Sequence, residues 1–224
     1  MKEPATTTGR VLIMTAVEAE REAVLRGLNG DARFDVRLAG VGPATAAART
    51  ALALAAEDYA LVVSAGIGGG FAEAAPVGTL AVASRVVAAD LGAETAEGGF
   101  ASVDELGFGL SALDADPRLA PALAEALRAA GQAVAYGPVL TVATATGTRQ
   151  TADALARRTP GAVAEAMEGH GVAVAANERQ TPFLELRAIS NAIGPRDRSA
   201  WRIGDALSAL TAAIPVLKEA VRQP

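Results

Sequence analysis

Short apolar runs and helical repeats alternate along almost the whole chain. Residues 10–17, RVLIMTAV, make an apolar run of strand length, and residues 18–28, EAEREAVLRGL, have helical composition that stops before Asn29-Gly30. The couplet then recurs. Residues 34–42, FDVRLAGVG, alternate like a strand and end in a Gly-Val-Gly-Pro turn, and residues 44–57 read as an Ala-rich helix. Residues 59–66, YALVVSAG, form a continuous apolar run of the kind buried in a central sheet and lead into a Gly-rich turn, IGGGF.

The second half repeats the pattern. Residues 78–90 predict strand, 91–109 a Gly-rich loop, and 117–131 a helix with Pro at its entry and Gly at its end. Strand follows at 133–144, helix at 148–158, strand at 161–167, helix from near Glu168, strand at 182–190 and a closing helix at 204–223. Such alternation predicts an α/β fold with a central mixed sheet and helices on both faces. With 224 residues and no repeat or linker, one domain over residues 10–224 is expected, after a loose leader of residues 1–9 in which no export signal is visible.

Composition narrows the chemistry. No apolar run approaches the roughly 18 residues of a spanning helix, so a membrane role is not expected and a cytoplasmic chain is. Zero cysteines exclude disulfides, thiolate catalysis and cysteine-ligated zinc, and a single histidine argues against a histidine metal site. A net charge of -5 argues against nucleic acid, which needs a basic face, and favours a small-molecule partner.

In α/β folds ligands gather at the carboxyl ends of strands. The predicted exits carry Glu18 and Glu20, the run Gly66-Ile67-Gly68-Gly69-Gly70, Met167-Glu168, and Ser190-Asn191. Acids in a helix's first turn also suit the macrodipole without any catalytic duty, and an Asn at a strand exit suits loop geometry. His170, the single histidine, reads as a bystander. The GIGGG run lacks the Lys-Ser/Thr of a phosphate loop and the dinucleotide spacing.

Taken together, TAVEAERE, SAGIGGGF, VAEAMEGHGVA and RAISNAIG, in that order and at that spacing, resemble the nucleosidase branch of the purine nucleoside phosphorylase superfamily, and within it the futalosine hydrolases. The resemblance spans nearly the whole chain. It implies a three-layer phosphorylase/hydrolase-like fold, hydrolysis of a purine N-glycosidic bond without metal or cofactor, and a homodimer or higher homo-oligomer. It implies that Glu20 activates water and that Glu168, with Met167 beside it, accepts from ribose hydroxyls. Gly66 and Ile67 would lie beside the ribose, and Ala145 and Thr146 beside the purine.

Three departures carry the specificity. Asn191 stands where adenine nucleosidases put Asp, and its amide presents both a donor and an acceptor, which suits a protonated N7 and a 6-oxo group. Hypoxanthine is therefore the expected base. Ala166 replaces a Glu of those enzymes, and no Phe occupies the segment that stacks on adenine, so Phe100 or Phe108 is the candidate stacker. Arg196 and Arg198, with Trp201 as an aromatic wall, are candidates for the carboxylated 5′ group of futalosine; a solvated charged loop would look the same. The alternatives are a 5′-methylthioadenosine/S-adenosylhomocysteine nucleosidase and a non-catalytic nucleoside-binding protein.

Overall fold

The computed structural model describes residues 9–195 and 197–222. Most of the expected leader, residues 1–8, and Arg196 lie outside the described residues. The chain opens with β1 (Val11–Thr15), α1 (Glu18–Leu28), β2 (Phe34–Leu38), α2 (Pro43–Ala56), β3 (Leu61–Gly70) and β4 (Leu80–Ala88). After β5 (Gly92–Glu94), β6 (Phe100–Ser102) and β7 (Ala112–Asp114) come α3 (Leu119–Ala129), β8 (Val134–Thr141) and α4 (Arg149–Arg158). It closes with β9 (Ala164–Ala166), α5 (Gly169–Glu178), β10 (Phe183–Ala192), a 3-10 turn (Arg198–Ala200) and α6 (Ile203–Ala220).

Local chemistry explains the helix ends. Pro43 opens α2, where its missing N–H costs nothing, Asn29 ends α1 in the left-handed region at φ 50°, and the Thr148 hydroxyl caps α4 by accepting from Thr151 N. Pro215 sits inside α6 and removes the usual donor to Thr211 O; that carbonyl lies against Gly27 of α1, where a Cβ would not fit. The close approach of α1 and α6 fixes the helix that begins at the candidate site.

Among the described residues, eight strands join one mixed sheet. β1 pairs in parallel with β2 and β3, and β3 with β10; β10 then pairs antiparallel with β4, which runs parallel to β8, and β8 to β9. Because β9 also pairs antiparallel with β3, the strands β3, β10, β4, β8 and β9 close into a circuit, with β1 and β2 as an extension. One face, including Val63, Ala65, Leu80, Leu184 and Leu186, packs on α1, α3 and α6; the other, including Leu12, Met14 and Val62, packs on α2 and α5. This is the helix-flanked mixed sheet expected from the sequence.

Two segments differ from expectation. The predicted loop 91–109 contains a small hairpin, β5 with β6, and β7 follows just after it as an edge strand on β4. The predicted Gly-rich turn is the last half of β3: Gly66, Gly68, Gly69 and Gly70 stay extended because β10 and β9 flank them. Glycine is required there because neighbours fill the Cβ positions, as Arg187 and Glu20 do at Gly66 and the Ala75 carbonyl and Ile189 at Gly70.

Candidate active site

A cavity of about 350 Å³ opens at the carboxyl ends of β1, β3, β9 and β10. Its lining brings together Glu20, Ile67, Ala145, Thr146, Met167, Glu168, Asn191 and Trp201, all singled out from the sequence, and adds Val41, Glu165 and Ile193.

Glu20 is the third residue of α1 and turns back over the helix start. Its Oε2 accepts from Ala16 N (2.8 Å) and Val17 N (3.2 Å), and its Oε1 from Ile67 N (2.8 Å). The acid therefore caps its own helix while its carboxylate is fixed at the cavity wall. Glu18, by contrast, is exposed and pairs with Arg21. Burial pushes the Glu20 carboxyl above its ordinary value, opposed by the Arg187 cation and the Ile67 N–H.

Glu168 ends the turn after β9. Its Oε1 accepts from Gly42 N (3.3 Å), and its Oε2 lies 3.3 Å from Nη1 of Arg187. Arg187 is 1% exposed; its Nε donates to Glu185 (2.8 Å) and its Nη2 to the Ser64 hydroxyl (2.8 Å). Burial alone would depress this guanidinium, but Glu185, Glu168 and Glu20 outweigh it and hold the cation above its ordinary range. Removing one partner from such a buried cluster leaves an uncompensated charge, a cost of about 3–5 kcal/mol.

Sequence reasoning missed Arg187, Glu185 and Glu165. A signal existed in LELRAIS: in a strand covered on both faces, Glu185 and Arg187 two residues apart share a face and must be buried as a pair. Gly169 leaves room for the Glu185 carboxylate, and Gly171 for the Pro43 carbonyl of α2, so both glycines serve close approach.

At the other end of the cavity, Asn191 follows an irregularity in β10 and lies level with Gly69 of β3. Its Oδ1 accepts from Ser190 Oγ (2.9 Å), and its Nδ2 donates to Ala192 O (3.1 Å). Trp201 is the aromatic residue of the lining.

Other expected residues lie elsewhere. Phe100 does not reach the cavity, because the β5–β6 hairpin carries it onto Arg158 of α4, whose guanidinium carbon sits 4.2 Å from its ring centre. Phe108 is exposed. Gly66 backs the Glu20 carboxylate rather than lining the cavity. Arg198 is exposed outside it, 5.9 Å from the Trp201 ring, and Arg196 lies outside the described residues. His170 is buried away from the cavity, its backbone N–H donating to Thr141, and burial depresses its imidazole toward the neutral form.

Chemically, the cavity offers a fixed carboxylate, a second carboxylate beside a buried cation, and an amide across from them. Arg187, committed to Glu185, Glu168 and Ser64, is buried behind the cavity lining rather than presented to a phosphate anion.

Residues 14–222 match the family model of the phosphorylase superfamily. The futalosine hydrolase of Streptomyces coelicolor is 51% identical, with 93% of this chain and 96% of that protein covered. That of Acidothermus cellulolyticus is 47% identical, with 92% and 89% covered. Among solved structures, the native futalosine hydrolase of Helicobacter pylori strain 26695 superposes with a TM-score of 0.83 at 14% identity, covering 96% of this chain and 99% of that one. A Neisseria meningitidis 5′-methylthioadenosine/S-adenosylhomocysteine nucleosidase bound to methylthio-immucillin-A gives 0.79 at 19%, covering 95% and 97%. At those identities the two structures speak to the fold alone.

Proposed function

The chain belongs to the phosphorylase superfamily, and from that membership we propose that it hydrolyses the N-glycosidic bond of futalosine, releasing hypoxanthine and dehypoxanthine futalosine in the alternative, futalosine-dependent route to menaquinone. The observation that carries the mechanism is the buried Glu20 carboxylate, held by three backbone N–H groups at the cavity wall.

In this reading the sugar lies between Glu20 and Glu168. As the C1′–N9 bond breaks, its electron pair goes to the purine and positive charge builds on the ribose, which the carboxylates oppose. Water adds to C1′ and gives its proton to Glu20. Burial raises Glu20 above an ordinary carboxyl, and the Arg187 cation opposes that rise. Glu168 accepts from the ribose hydroxyls with the lone pairs left by Gly42 and Arg187. Solvent protonates N7 of the departing base and takes back the proton from Glu20, while Asn191 donates to the 6-oxo group and accepts from the N7–H. The committed state of Arg187 supports water over phosphate as nucleophile.

Two further readings accompany this one. Exposed Leu91, Leu106, Phe108 and Leu110, on the segment after β4, support a homodimer or higher homo-oligomer packed through that face. No helix among the described residues is long and apolar enough to cross a membrane, and we place the reaction in the cytoplasm.

The test is product chromatography after incubation with futalosine and, separately, with 5′-methylthioadenosine, each with and without phosphate. Hypoxanthine from futalosine, independent of phosphate, is expected. Adenine release from the second substrate alone would refute the assignment.

A further inference from the structure

Glu185 is a fully buried carboxyl group to which the mechanism above gives no task. It lies behind the cavity wall, on β10 and against the first residue of α5, where a Cβ at Gly169 would fall on both of its oxygens. Its Oε1 accepts from Arg187 Nε (2.8 Å), and its Oε2 has no hydrogen-bond partner among the described residues.

The bond to Glu185 decides where Arg187 points. A guanidinium is flat, so bonds at two of its nitrogens fix its plane. Nε donates to Glu185 and Nη2 to the Ser64 hydroxyl, which leaves Nη1 aimed at Glu168 Oε2 (3.3 Å) and close to Glu20, whose carboxylate it meets over Gly66. Nη1 thus faces both acids that the reaction uses, and Glu185 and Ser64 set its angle.

One cation here faces three carboxyl groups, and each buried charge needs a partner of its own. The hydrogen-bond donors decide which acid gives way. Glu20 accepts from three backbone N–H groups, and Glu168 from Gly42 N and the Arg187 guanidinium at the cavity edge. Glu185 accepts from Nε alone, at 0% exposure. The charges acting on it are those of Arg187 and Glu168, since α5 presents Gly169 there and turns His170 toward Leu110 and Asp104. Burial pushes Glu185 the same way, above its ordinary value. Of the three acids it is the one that keeps its proton.

We propose that Glu185 is a positioning residue that works as a neutral acid: its Oε1 holds Arg187 Nε and sets the guanidinium plane, while its proton leaves the charge of Arg187 to Glu20 and Glu168. The inference rests on the reading of the chain as a nucleoside hydrolase, in which those two acids act on the water and the ribose. An ionised Glu185 would compete with them for the cation, and an apolar side chain would free the guanidinium to turn.

The experiment compares the wild type with Glu185→Gln and Glu185→Leu. Glutamine has the shape of a neutral acid and keeps an acceptor for Nε; leucine keeps the bulk and removes the acceptor. On futalosine, kcat is expected to stay within about 3-fold in Glu185→Gln and to fall by about 10- to 100-fold in Glu185→Leu, because a guanidinium free to turn misplaces both acids. A glutamine variant as slow as the leucine one would make the charge of Glu185 the working feature and overturn the proposal. Wild-type kcat in Glu185→Leu would make the residue a space-filler and overturn it too.

Infrared difference spectroscopy at neutral pH tests the protonation state without turnover, whether or not the leucine variant folds. Subtracting Glu185→Gln from the wild type is expected to leave the carbonyl stretch of a protonated carboxyl group; carboxylate bands in its place would overturn the inference. A wild type that leaves futalosine intact yet shows the protonated band would overturn the proposed substrate alone, and the kcat comparison is then made on the nucleoside that it does cleave.

Discussion

Replacing Gly66 by alanine tests whether the placement of Glu20 matters, without altering any ionisable group. The new Cβ would fall inside contact distance of Glu20 Oε1, 2.8 Å from Glu20 Cδ and 2.7 Å from Arg187 Nη1, where ordinary contact begins at 3.4 Å. The carboxylate oxygen would have to retreat by about 1 Å and the guanidinium nitrogen by about 0.7 Å. Neither moves freely: Glu20 is pinned by Ala16, Val17 and Ile67, and Arg187 by Glu185 and Ser64. Overpacking of this kind costs about 1–3 kcal/mol of stability. A misplacement approaching 1 Å at the reacting centre costs on the order of 100-fold in rate. We therefore expect Gly66→Ala to fold with a lowered Tm and to lose about 30- to 100-fold in kcat on futalosine, with KM changed much less. Gly204→Ala, at the exposed start of α6 with nothing within 4 Å of the new Cβ, is the control and should keep wild-type turnover. Wild-type kcat in a destabilised Gly66→Ala would refute the claim that the Glu20 carboxylate is positioned for the reaction.

Three other predictions follow from the same geometry. Burial raises Glu20 and water activation needs it ionised, so kcat/KM should fall with decreasing pH through a value above the ordinary 4.5; an acid limb at or below 4.5 would contradict the assignment. Burial also holds Glu185 above the ordinary carboxyl value, so the folded chain binds a proton that the unfolded chain releases. That contribution is complete below the unfolded value and lost as pH rises through the folded one. Glu185→Gln should accordingly flatten the decline of Tm toward higher pH, and an unchanged slope in thermal melts would count against it. Asn191→Asp removes the donor to the 6-oxo group and should lower kcat/KM on futalosine by about 10- to 100-fold while sparing the 6-amino analogue, as read from the two substrates side by side.

Glu20, Glu168 and Asn191 were legible because each stands where a predicted strand gives way to another element, the edge at which α/β folds expose polar groups. The extended course of Gly66 to Gly70 was not, since a glycine run signals a turn unless flanking strands supply the partners that β10 and β9 do here. Phe100 looked available for stacking because the short hairpin that turns it toward Arg158 leaves a weak signal in a Gly-rich stretch. Glu165 was hidden for another reason. Alone in GAVAEAM it is one polar residue in a short strand; its relation to Asn191 exists only through the pairing of both with Gly69, a long-range fact of register.

The most direct test of the account is Glu20→Gln, with futalosine binding and single-turnover hydrolysis measured on the same preparation. An amide keeps the size of the side chain but cannot take the proton of water, so binding should stay close to wild type while hydrolysis falls by about 100- to 10,000-fold. Turnover near the wild-type rate, at unchanged affinity, would show that Glu20 is only the cap of its helix and that the reaction runs on another group.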